Sequence, residues 1–139
     1  MRKEELRTYI ENHESEMIED LKSLIRIPSE KQAAEPGKPF GAPAAEALAQ
    51  GIEILEKIGF AVTNYDNYAI AADFNQEEKG LDILAHLDVV PAGEGWQETD
   101  PFTPLIKEEK CSAAEPQTTK DRRSQLSTQC ALSKNSVIH

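Results

Sequence analysis

The chain has 139 residues, 39% of them hydrophobic and 29% charged, and a formal net charge of −10. That length accommodates one domain with a core of its own. The acidic balance argues against nucleic acid or an anionic membrane as partner. No apolar run approaches the roughly 20 residues that a membrane-spanning helix needs.

The first residues, Met1-Arg2-Lys3-Glu4-Glu5, lead into an amphipathic segment rather than a signal-peptide core, so a cytoplasmic location is expected. Residues 3–26 read as a helix, because Leu6, Tyr9, Ile10, Met17, Ile18, Leu21, Leu24 and Ile25 recur at helical spacing. His13 lies beside that stripe and reads as a boundary histidine. Pro28 ends the helix, and 29–41 is loop. A second helix is expected from Pro43 to Ile58, with Pro43 suited to its first turn and Gly59 to its stop. Phe60 to Asn64 and Tyr68 to Phe74 read as strands joined by a turn at Tyr65-Asp66-Asn67. After a polar loop, Leu81 to Ala85 has the length and composition of a third strand. The order ααβββ opens an α/β or α+β domain.

Composition changes abruptly after Lys110. Residues 1–110 carry 11 basic and 23 acidic side chains, and 111–139 carry four and two. All seven glycines and all eight aromatic residues precede position 111, while both cysteines, Cys111 and Cys130, follow the break. The cysteines have no metal-type spacing. The segment 111–139 is polar, lacks periodicity and reads as disordered. Two regions are therefore expected, a folded 1–110 and a disordered 111–139.

The chemistry-bearing stretch is Leu81 to Pro104, LDILAHLDVVPAGEGWQETDPFTP. The third strand would end on His86, and Asp88 follows two residues later. Active sites of open α/β sheets lie past the carboxyl ends of strands. Side chains two apart on an extended segment share a side, so Asp88 can reach the His86 ring. A ligating His commonly needs such an acceptor, although a His-x-Asp pair by itself is more often surface polarity. Trp96 and Phe102 are candidates for a substrate cleft or for local loop packing. No Gly-rich phosphate loop follows any strand, which argues against nucleotide binding.

The string Ala85-His86-Leu87-Asp88-Val89-Val90-Pro91, then Gly95-Trp96, then Asp100-Pro101-Phe102-Thr103-Pro104, resembles the co-catalytic zinc exopeptidases. These include bacterial dipeptidases, acetylornithine deacetylase, succinyl-diaminopimelate desuccinylase, aminoacylase and carnosinase. The spacing is most similar to the Xaa-His dipeptidase branch. Leu24-Ile25-Arg26-Ile27-Pro28-Ser29 is similar to the family's opening helix end, and Ala47 to Phe60 to its second helix. The resemblance covers about residues 5–110. It implies an α/β fold, namely the N-terminal part of a zinc-exopeptidase catalytic domain, with His86 as a ligand of one of two zinc ions. Manganese or cobalt are alternatives to zinc. Asp88 would be the catalytic residue that orients His86. The substrate implied is a dipeptide, cleaved by metal-activated water with a Glu as general base.

The resemblance also implies a motif like GRGTxDDKG, with the Asp that bridges the metals, where this chain has Cys-Ser-Ala-Ala-Glu-Pro-Gln-Thr-Thr-Lys at 111–120. Joining the third base of each codon to the first two of the next permits, within codon degeneracy, the reading FGRGTTDDKG followed by an amphipathic helical pattern. One lost A in a run such as GAA AAA ATG would produce Glu109-Lys110-Cys111. The expectation is therefore a dipeptidase beginning read one base out of frame after Lys110. Such a product would lack the later ligands, would not retain zinc, would be inactive, and would leave a sheet edge and a helix face uncovered. Two other readings stay open: a non-catalytic truncated product with a binding role, and a small α/β binding module unrelated to peptidases.

Overall fold

A computed structural model describes residues 3–77, 80–97, 99–107 and 110–112. The chain divides into two compact units, Ile27–Ala92 and, from the two ends, Met1–Arg26 with Gly93–His139.

In the terminal unit, α1 spans Lys3–Ile25. Glu4 and Glu5 in its first turn and Lys22 in its last complement the helix dipole. The expected stripe is present but shallow. Leu6, Ile10, Met17, Ile18, Leu21, Leu24 and Ile25 are half-buried with His13 beside them, whereas Tyr9, also expected in the stripe, is exposed, and no α1 residue is fully buried. His13 stacks on Tyr9, with ring centroids 4.1 Å apart, and its Nδ1 lies 2.8 Å from the Tyr9 carbonyl. Lys22 Nζ donates to Glu19 at 2.6 Å, and this contact holds the Glu19 carboxyl below its ordinary pKa. The same unit holds an antiparallel hairpin. β3, Leu105–Lys107, and β4, Lys110–Ser112, pair Leu105 with Ser112 and Ile106 with Cys111. The ladder thus runs two residues past the compositional break, because strand pairing is made by backbone groups whatever the side chains. The tail expected to be disordered lies, from position 113, outside the described residues.

In the central unit, α2 spans Ala42–Lys57. Its start needs glycine: Gly41 has φ 91°, and a Cβ there would stand 2.5 Å from Gln32 Cβ. Its end is a Schellman motif, in which the Gly59 N–H donates to Glu56 O and the Phe60 N–H to Leu55 O, both at 3.0 Å. The face it buries is built from small residues, Ala44, Ala47 and Gly51. These let the helix lie close to a two-stranded antiparallel sheet. β1, Ala61–Tyr65, pairs with β2, Ala69–Asp73, in the register Val62↔Ala72 and Asn64↔Ile70. Val62, Ile70 and Ala72 are the half-buried positions of the sheet, as period-two alternation requires. The turn has positive φ at both Asp66 and Asn67, as a type I′ hairpin demands. Asn67 accepts at Oδ1 from Asn64 and donates through Nδ2 to the Gly37 carbonyl at 2.8 Å.

The third strand expected at 81–85 is not formed. Leu81 to Ala85 are all exposed, Leu84 at 99%, and among the described residues none joins a ladder. Apolar composition favours a strand only when a neighbour offers its backbone. The described residues therefore form two helices and two antiparallel hairpins, consistent with α/β composition.

Candidate functional site

The backbone begins to engage where the apolar run ends. His86 and Asp88 are exposed, while Leu87 and Val89 are half-buried. This alternation puts the two polar side chains on one side and the two apolar ones against the unit. A Cβ added at Gly51 would lie 3.0 Å from Leu87 Cδ1 and 3.4 Å from Ile70 Cδ1, so Leu87 seats where α2 has no side chain. Ser29, 2% exposed, donates its hydroxyl to the Leu87 carbonyl at 2.7 Å. The Val89 N–H donates to the Ser29 carbonyl at 3.2 Å, within a parallel bridge between Glu30 and Val89. The Ala92 N–H donates to Glu30 Oε1 at 3.2 Å.

On this support the His86 ring turns toward Asp88. Its Nδ1 lies 3.0 Å from the Asp88 carbonyl oxygen and 3.4 Å from Asp88 Oδ1. A neutral ring with its proton on Nδ1 donates to that carbonyl, which leaves Nε2 as the lone pair available to an electrophile. The structure thus brings together the two residues singled out from the sequence, and the backbone oxygen of Asp88 is nearer to the ring than its carboxylate.

Catalytic zinc uses about three protein ligands. Among the described residues no group of three or more His, Cys, Asp or Glu side chains converges. One imidazole and its orienter do not fit a held catalytic metal. Trp96 donates Nε1–H to the Gly93 carbonyl at 3.1 Å, and Thr103 N–H donates to Asp100 O at 3.0 Å. Both contacts are local to the loop that carries them. No helix among the described residues is long and apolar enough to cross a membrane.

Gly51 is not singled out from the sequence, although a glycine inside a helical pattern is a signal for close packing. Ser29 is singled out only as the end of the Leu24–Ser29 resemblance and is given no role there, since its partner lies 58 positions away.

The central unit is a small helix-and-hairpin scaffold that presents a His-x-Asp pair at one edge. No protein-family model matches the chain. It is similar over 109 residues, 77% of its length, to a Staphylococcus saprophyticus protein named "Putative dipeptidase SSP1012", with 35% identity. It is 36% identical over 94 residues to "Putative dipeptidase YtjP" of Bacillus subtilis, and 38% identical over 95 residues to the Beta-Ala-Xaa dipeptidase of Lactobacillus delbrueckii subsp. lactis. These alignments cover 66% and 67% of this chain. The chain spans only 20–23% of the length of these relatives. The segment that it shares with each of these three proteins makes up about a fifth of that relative.

Proposed function

We propose that residues up to Lys110 are the beginning of a zinc-dependent dipeptidase catalytic domain, and that positions from 111 are read one base out of frame. The observation that carries this is the agreement of three features of the chain. The His86-x-Asp88 pair is oriented as a ligand and its positioning residue would be. The likeness to proteins named dipeptidases or putative dipeptidases extends over 66–77% of the chain. The composition breaks after Lys110, where a shifted frame permits GRGTTDDKG.

In this reading the frame-restored protein is a cytoplasmic metallopeptidase of the zinc-exopeptidase type. Its substrates are dipeptides, with β-Ala-Xaa dipeptides a natural first panel given one relative's name. His86 supplies a metal ligand and Asp88 holds its ring. Among the described residues no further His, Cys, Asp or Glu joins His86 and Asp88 in a metal-holding group, and in this reading the 139-residue chain does not hydrolyse dipeptides.

The test begins with the DNA at the codons for Glu109, Lys110 and Cys111. One additional A restores the motif. Expression of that reading frame should then yield zinc-dependent release of amino acids from dipeptides, lost in His86→Ala. Dipeptide hydrolysis by the purified 139-residue chain with added zinc or manganese would overturn the inactive assignment. A restored frame whose product shows no hydrolysis would overturn the peptidase assignment.

A further inference from the structure

The His86 ring is held by Asp88, and Asp88 is itself held from both sides by one residue. The carbonyl before Asp88, that of Leu87, accepts the Ser29 hydroxyl at 2.7 Å. The amide after it, that of Val89, donates to the Ser29 carbonyl at 3.2 Å. The two peptide planes flanking Asp88 are therefore both bonded to Ser29, which is 2% exposed. The Asp88 carbonyl, which lies 3.0 Å from His86 Nδ1, belongs to the second of those planes. Rotation of that plane would carry the acceptor away from the ring.

We infer that Ser29 is a positioning residue for His86: it clamps the backbone on both sides of Asp88 and so sets the orientation and tautomer of the imidazole. The inference deepens the reading of His86 as a metal ligand and rests on it for its functional meaning. The clamp itself stands on the geometry alone. Alanine removes the hydroxyl and leaves a carbonyl without its donor, a loss felt most in a water-poor setting. Threonine keeps the hydroxyl. Cysteine keeps the shape with a weak donor.

The experiment is ¹⁵N NMR of the imidazole in the full chain with labelled histidine, at about pH 8.5, well above the ordinary imidazole pKa near 6.5. Amide exchange of β1 and β2 is recorded on the same samples. The native chain should show His86 mainly protonated at Nδ1. Ser29→Ala should lose that preference and become a mixture of tautomers, with the β1–β2 amides still protected. Ser29→Thr should retain it. As a control, Ser23→Ala removes a hydroxyl bonded to the Asp20 carbonyl in α1 and should change nothing at His86. If Ser29→Ala keeps the native His86 tautomer, the inference fails. Should Ser29→Ala lose hairpin protection, Ser29→Cys decides. A changed tautomer with an intact hairpin supports the clamp, whereas a native tautomer, or loss of the hairpin in both variants, assigns Ser29 to packing and overturns it. An absent Nδ1 preference in the native chain overturns it equally. The peptidase reading is judged separately by the activity of the frame-restored product and its His86→Ala variant.

Discussion

Residues 81–85 and 86–92 follow one another in the chain, and both contain aliphatic residues. Their fates differ. Leu81, Ile83 and Leu84 face water. Leu87 and Val89 turn inward, and the chain from Leu87 to Ala92 bonds to Ser29 and Glu30. The first stretch is the more apolar, yet the second is the one bonded into the unit. What separates them is a backbone within reach and a glycine-sized seat. Apolar side chains supply a general drive to leave water. Only directed hydrogen bonds and a fitting contact determine which residues leave it.

That contrast can be broken from either side. The largest effect is expected at Gly41, which supports the loop carrying Ser29. Gly41→Ala meets both a positive φ and a 2.5 Å approach to Gln32 Cβ, and should cost about 3 kcal/mol or more in β1–β2 amide-exchange stability. Gly51→Leu should come next. It fills the seat of Leu87, at about 1–3 kcal/mol for overpacking, and should release the 87–92 amides to fast exchange. Ser29→Ala should cost about 1–3 kcal/mol, concentrated at the Val89 amide and leaving α2 protected. Leu84→Ser should be the smallest, within about 0.5 kcal/mol in a urea melt followed by circular dichroism, since Leu84 is 99% exposed. A cost above 1 kcal/mol there would show that 81–85 is packed and would erase the distinction.

What was legible in the chain follows the range of each signal. Both helices stand within a residue or two of expectation, because helical periodicity, Pro43 and Gly59 act on their own neighbours. The hairpin was legible for the same reason: Asp66-Asn67 is a turn by local chemistry. The strand at 81–85 was misjudged because a short apolar run says nothing about whether a partner strand lies alongside. The shared side of His86 and Asp88 was readable from period two. The dominance of the Asp88 carbonyl in holding the ring was not, since backbone oxygens leave no mark in a sequence. The seat at Gly51 was hidden in a helix whose apolar face had already accounted for its neighbours.

The bond from Ser29 to Leu87 spans 58 positions. Closing a loop of that length costs about 3–4 kcal/mol in chain entropy, more than one hydrogen bond returns. The enclosed stretch contains the whole of α2 and the β1–β2 hairpin, and their prior formation shortens the free loop. We therefore expect the His86 geometry to form after the elements it bridges, so that in pulsed amide exchange the Val89 amide gains protection later than those of β1 and β2.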